Sequence, residues 1–102
     1  MKVGEKTIEF DHDGFMIDPN LWNDGVACAI ANEEGIDDMT EDHWRIVNFI
    51  REYWKEHDRA PEVRLLCKET GLGVRQIFKL FASGPARGAC RVAGLPKPDG
   101  CV

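Results

Sequence analysis

The segment that follows Thr40 is a strongly two-faced helix, and it dictates what the rest of the chain must supply. On a wheel of about 100° per residue, Ile46, Val47, Phe49, Ile50, Tyr53 and Trp54 fill one broad arc. Arg45, Asn48, Arg51, Glu52, Lys55 and Glu56 fill the other. Thr40 caps the helix, and Glu41 and Asp42 sit in the first turn, where the helix dipole favours anions. An apolar arc of about four turns has to be covered. A chain of 102 residues has room for one core to cover it. Trp44 falls on the polar side, and either packs on the N-terminal residues or meets a partner.

Residues 1–20 read as a β-hairpin. Thr7-Ile8-Glu9-Phe10 alternates, and Phe15-Met16-Ile17 answers it across Asp11-His12-Asp13-Gly14. Asp-Gly between two such runs is a strong hairpin signal, because glycine accepts positive φ. Asp18-Pro19 stops the second strand. His12, in the turn, reads as solvated. Everything afterwards is helical. A first helix, Asp24 to Glu34, carries Val26, Ala27, Ile30 and Ala31 and ends at Gly35. After the helix that follows Thr40, Ala60-Pro61 opens another, with Val63, Leu65, Leu66 and Cys67, which ends at Gly71. Val74 to Ala82 carries Ile77, Phe78, Leu80 and Phe81, and a last short helix over Ala86 to Ala93 is closed by Gly94. Pro96, Pro98 and Gly100 keep the remaining residues from being helical. The expected fold is mainly α (α+β). An N-terminal hairpin is followed by an orthogonal bundle of about five helices over 1–94, then a flexible extended arm over 95–102.

Thirteen Lys and Arg against eighteen Asp and Glu leave a formal charge of −5, which opposes nonspecific binding to nucleic acid. No apolar stretch approaches the ~18 residues of a membrane span. The opening Met-Lys-Val-Gly-Glu-Lys has no apolar signal region, so a cytoplasmic location is expected. In such a chain the four cysteines, Cys28, Cys67, Cys90 and Cys101, stand out. None forms a C-x-x-C pair, and His12, His43 and His57 are not at ligand spacing, so no metal site is expected. A secreted disulfide scaffold would need an oxidising compartment. Ordinary buried thiols, or a thiol pair with redox chemistry, remain. Cys28 and Cys67 fall on the apolar faces of their helices and read as core packing.

Cys101 is the penultimate residue, where chains fray unless tied down, so its thiol reads as mobile, and as either incidental or functional. Cys90 lies eleven residues earlier, inside the last helix. From Gly94 the arm reaches about 23–25 Å when extended, enough to fold back onto Cys90 or to enter a partner. Pro96 and Pro98 stiffen it and Gly100 adds a pivot. The loop-closure term for a Cys90–Cys101 link is only about 3 kcal/mol. Asp99 and the Val102 carboxylate disfavour the Cys101 thiolate, an effect that Lys97, Arg91 and Arg87 can offset when the arm folds back. A second pattern lies at Leu66 to Ile77, a helix-turn-helix-like corner about Gly71 that would present Arg75, Gln76 and Lys79. Any helical bundle needs such corners, and the net negative charge opposes a DNA-binding regulator.

Gly84-Pro85-Ala86-Arg87-Gly88-Ala89-Cys90-Arg91-Val92-Ala93-Gly94-Leu95-Pro96-Lys97-Pro98-Asp99-Gly100-Cys101-Val102 resembles the C-terminal signature of the DsrC/TusE family. The likeness extends upstream through the Glu41-Asp42-His43-Trp44 helix start and Ala60-Pro61-Glu62-Val63-Arg64. With both Cys90 and Cys101, and a short Gly71–Phe81 segment, the chain is similar to the DsrC branch of sulfate and sulfite reducers. That branch has been called the gamma subunit of dissimilatory sulfite reductase. TusE-type members keep only the penultimate cysteine. Ala82 stands where relatives usually have proline.

The resemblance implies a cytoplasmic sulfur carrier, not an enzyme, that holds no permanent cofactor. It implies that Cys101 accepts sulfur at the sirohaem of the partner reductase's alpha and beta subunits. Cys90 would close on it as a trisulfide, and a membrane DsrMKJOP-type complex would reduce that. Arg87, Arg91, Pro96, Lys97, Pro98 and Gly100 would be arm and partner contacts. The alternative within the family is a TusE-like relay for tRNA 2-thiolation, fed by a DsrEFH- or TusBCD-like sulfur transferase.

Overall fold

Helix Glu41–His57 forms as its sequence requires, and the other elements gather on its apolar face. In chain order these are β1 (Lys2–Val3), β2 (Lys6–Thr7), a 3-10 turn (Pro19–Leu21), α1 (Asp24–Glu33), α2 (Glu41–His57), α3 (Val63–Thr70), α4 (Val74–Leu80) and α5 (Cys90–Val92). The structure is a computed structural model and describes residues 2–3, 5–84 and 88–96. Ile46, Val47 and Ile50 of α2 are fully buried. They meet Val26, Ala27, Ile30 and Ala31 of α1, Leu66 of α3, Ile77 of α4, and Phe81, Ala89, Val92, Ala93 and Leu95 in one core. Phe49, Trp54 and Trp44 pack at its edge. Packing on the body of the chain, rather than a free surface, is therefore where Trp44 goes.

The N-terminal strands differ from the expected pairing. The ladder joins Lys2 to Thr7 and Val3 to Lys6, earlier than the alternation pattern placed it. The hairpin expected over Thr7–Ile17 survives as a single bridge, Phe10 with Met16. Amide bonds from Asp11 to the Phe15 carbonyl (2.9 Å) and from Ile17 to the Glu9 carbonyl (3.1 Å) flank that bridge. The Asp11 carboxylate also accepts from the Asp13 and Phe15 amides, which tightens the turn at the expense of a longer ladder. Ile8, Phe15 and Met16 enter the core, and this burial supports a strand pair too short to stand alone.

The periodicity misplaces Cys28 and is silent on His43. Cys28 is exposed, because Val26, Ala27, Ile30 and Ala31 centre the buried arc of α1 more than a quarter-turn away. Cys67 does pack against the core. His43 is buried. Its Nδ1 accepts from the Thr40 amide (3.0 Å), so its proton sits on Nε2 and is donated to the Leu80 carbonyl (3.0 Å). The ring meets Phe81 edge-on at 5.2 Å. One side chain thus closes the α2 capping box and ties that end of α2 to the end of α4.

At the α3–α4 corner Gly71 adopts a left-handed conformation (φ 75°), and Leu66, Leu72 and Ile77 are buried beneath it. Helix α3 begins at Val63 rather than at Pro61, and α4 stops at Leu80 because Phe81 turns extended and inward. Arg75 and Lys79 are exposed, whereas the Gln76 side chain is taken up by the Gly73 amide as a cap.

Candidate functional site

Cys90 lies in α5 (Cys90–Val92), which continues directly from the turn before it. Gly88 and Ala89 before it turn in the wider π-helical form. Its own backbone supplies bonds such as that from the Ala93 amide to the Ala89 carbonyl (2.9 Å), and contacts with the rest of the chain hold it in place. Burial does part of this, since Ala89, Cys90, Val92, Ala93 and Leu95 are all at most 3 % exposed.

Polar contacts do the rest, from two sides. On one side Arg91 donates through Nε to the Gly14 carbonyl (2.6 Å), through Nη1 to Glu34, and through Nη2 to Glu33 (3.3 Å). Glu34 also accepts from the Ser83 hydroxyl (2.6 Å). Asp13, Glu34, Ser83 and Arg91 line a small polar recess beside the helix. Gly14 has φ +88°, and a Cβ there would lie 2.8 Å from Arg91 Nε, so glycine serves both the turn and the guanidinium.

On the other side the indole Nε1 of Trp22 donates to the Val92 carbonyl (2.8 Å), and Arg51 Nη1 donates to the Ala93 carbonyl (2.8 Å). The Arg51 guanidinium stacks 4.2 Å from the centre of the Trp22 ring. Burial pulls the Arg51 pKa below its ordinary value, an effect partly offset by the neighbouring Glu52 carboxylate. The wheel assigned Arg51 to the solvent arc. In fact it is half-buried, because it borders that arc between Val47 and Trp54, one turn away on either side.

The chain leaves α5 through a Schellman turn. The Gly94 amide bonds the Arg91 carbonyl (2.9 Å) and the Leu95 amide bonds the Cys90 carbonyl (3.2 Å). Gly94 has φ +72°, and a Cβ on it would fall 2.6 Å from Trp22 Cγ. Leu95, the first residue of the expected arm, is buried in the core, and Pro96 is half-buried. Arg87, Lys97, Pro98, Gly100 and Cys101 lie outside the described residues. Of the expected arm and partner contacts, Arg91 is engaged with the body of its own chain. Trp22, Arg51, Glu33, Glu34 and Ser83 join the site without being expected there from the sequence. Among them only Arg51 carried a signal, its place at the edge of the apolar arc.

The thiols differ in access. Cys28 is exposed, Cys67 half-buried and Cys90 3 % exposed. Of these three, alkylation of folded protein followed by peptide mass mapping should modify Cys28 first, Cys67 more slowly and Cys90 last. Cys90 should catch up only when denaturant is added. Early labelling of Cys90 would contradict the packing described. Among the described residues no cluster of three or more His, Cys, Asp or Glu could hold a metal, and no helix is long and apolar enough to cross a membrane.

The fold is a small helical domain that fixes one cysteine near its C-terminal end. The chain belongs to the DsrC-like family, whose model, described as DsrC like protein, matches residues 2–102. It is 43 % identical over 97 residues to the dissimilatory-type sulfite reductase subunit gamma of Nitratidesulfovibrio vulgaris, covering 95 % of this chain and 92 % of that one. It is 38 % identical over 104 residues to the sulfurtransferase TusE of Pectobacterium atrosepticum, covering 95 % and 94 %. The crystal structure of the oxidized gamma subunit (DsrC) from Archaeoglobus fulgidus superposes with a TM-score of 0.88 at 40 % identity, covering 99 % of this chain and 97 % of that one. These relatives support a role in sulfur transfer.

Proposed function

We propose that this protein is a sulfur-carrying co-substrate of a dissimilatory sulfite reductase, loaded on Cys101 and closed by Cys90. The observation that carries the reading is the placement of Cys90. It is a buried thiol held by both flanks of its helix, at the root of a segment whose penultimate residue is a second cysteine. A thiol that outside reagents reach poorly is left for the partner its own chain can bring to it, which suits the resolving role, and the terminal thiol suits the accepting role.

The chemistry balances as follows. Sulfite, two thiols, two electrons from the reductase and four protons give a Cys90–Cys101 trisulfide and three waters. The central sulfur gains four electrons, two of them from the thiols. Four further electrons and four protons from a thiol reductase, such as a membrane DsrMKJOP-type complex, then release hydrogen sulfide and restore both thiols. The sirohaem belongs to the partner's alpha and beta subunits. This chain carries sulfur only transiently and works in the cytoplasm.

The test is intact-mass measurement after incubation with a dissimilatory sulfite reductase, sulfite and an electron donor. The protein should gain one sulfur and lose two hydrogens. The Cys90→Ala variant should gain one sulfur and lose none, as a persulfide on Cys101. A bridged mass in Cys90→Ala would remove Cys90 from the reaction.

The relationship to TusE favours a second reading, a relay from a DsrEFH- or TusBCD-like donor to a tRNA-thiolating acceptor. In that reading Cys90 is dispensable. A Cys90→Ala variant that turns over normally with such a donor and acceptor would favour it.

A further inference from the structure

Four consecutive carbonyls end the Cys90 helix, and all four are occupied. Cys90 and Arg91 are bonded by the amides of Leu95 and Gly94 in the turn itself. Val92 and Ala93 are bonded by Trp22 and Arg51, which lie 70 and 42 residues away in sequence. The last two carbonyls are bonded from outside the turn, so the two distant side chains tie the end of the helix to the body of the protein. Arg51 also reaches the Pro19 carbonyl (3.4 Å) through its other amino group, and its charged plane lies 4.2 Å from the centre of the Trp22 ring and 5.9 Å from that of Trp54. A lysine would keep the charge but lose the fork and the stacking. Phenylalanine at position 22 would keep a ring but lose the donor.

We propose that Arg51 and Trp22 are positioning residues for the closure of Cys90 on Cys101. By pinning the Val92 and Ala93 carbonyls they fix where and in which direction the C-terminal segment leaves the body. Six residues can span at most about 20–22 Å from Leu95 to Cys101, so the effective concentration of the second thiol at the first depends on that root. A root free to rotate spreads the same chain over a larger volume. The inference rests on the Cys90–Cys101 pairing proposed above.

The experiment equilibrates the full chain in glutathione buffers of graded ratio and reads the Cys90–Cys101 disulfide by mass. Cys28→Ser and Cys67→Ser are present throughout. Two protein thiols give up two hydrogens and two electrons to oxidised glutathione, which becomes two reduced molecules, so the midpoint yields an effective molarity. Arg51→Lys and Trp22→Phe should each lower it about tenfold, as expected when closure becomes less pre-organised. Thr40→Ala, which removes a helix cap on α2, destabilises the same fold elsewhere and should leave it within about twofold. Comparison is made under conditions where circular dichroism shows all variants folded. An unchanged or raised effective molarity in both Arg51→Lys and Trp22→Phe overturns the inference. A parent chain that forms no Cys90–Cys101 link at any ratio overturns the pairing instead.

Discussion

Cys101→Ala is expected to abolish sulfur loading while leaving the fold intact. With sulfite reductase, sulfite and an electron donor, the variant's mass should stay at that of the starting protein, and sulfide production should fall to that of a reaction without it. Cys90 remains in this variant, but it is buried against the core and has no second thiol beyond it on the chain to receive sulfur first. Stability should stay within about 0.5 kcal/mol of the parent, as for substitutions away from cores, caps and buried pairs. The comparison with Cys90→Ala separates acceptance from closure. One variant takes up nothing, and the other takes up sulfur and fails to bridge.

Gly94→Ala should produce the largest loss of stability of any single methyl addition in this region. Two penalties combine. Alanine at φ +72° is strained by about 1–2 kcal/mol. The added methyl group also overlaps the Trp22 ring, 2.6 Å from its Cγ, and such overpacking costs about 1–3 kcal/mol. Together they predict a loss of about 2–5 kcal/mol, or on the order of 10–25 °C in Tm for a domain this size. Thermal unfolding followed by circular dichroism measures it. The two penalties separate in a double-mutant cycle, because in a Trp22→Ala background only the conformational one remains. Additive losses would mean that the indole yields and the overlap costs nothing. The same substitution disturbs the turn through which the C-terminal segment leaves, so sulfur bridging should be impaired even at temperatures where the variant is folded.

What the sequence could disclose divides along physical lines. The α2 helix was legible because its wheel is strongly two-faced and its cap is local. Thr40, Glu41 and Asp42 act within one turn of the residues they stabilise. Gly71 and Gly94 were legible as helix ends for the same reason. The ladder at β1 and β2 was not, because strands of two residues have no periodicity to read and the better alternation lay just downstream. Cys28 was misassigned because a thiol beside Val26 and Ala27 reads as apolar, while a shift of one residue on a helix turns a side chain by more than a quarter-turn.

The cysteines at 90 and 101 were found from their positions and from the likeness of the tail to a family. The residues that hold Cys90 in place were invisible. Trp22 and Arg51 reach the carbonyls of α5 from 70 and 42 residues away, and no local spacing encodes that. Arg91 illustrates the difference. From the sequence its charge reads as an aid to the Cys101 thiolate. Its partners, Gly14, Glu33 and Glu34, follow only from the way the hairpin turn and the end of α1 come together.

The central claim is that one sulfur atom bridges Cys90 and Cys101, and peptide mapping without reduction tests it most directly. Protein taken from a turning-over mixture of sulfite reductase, sulfite and electron donor is trapped in acid, digested and sequenced by tandem mass spectrometry. The account predicts a cross-linked pair of peptides, one with Cys90 and one with Cys101, heavier than the plain disulfide by one sulfur atom. Sulfur found only on Cys28 or Cys67, or on neither member of the pair, would contradict it.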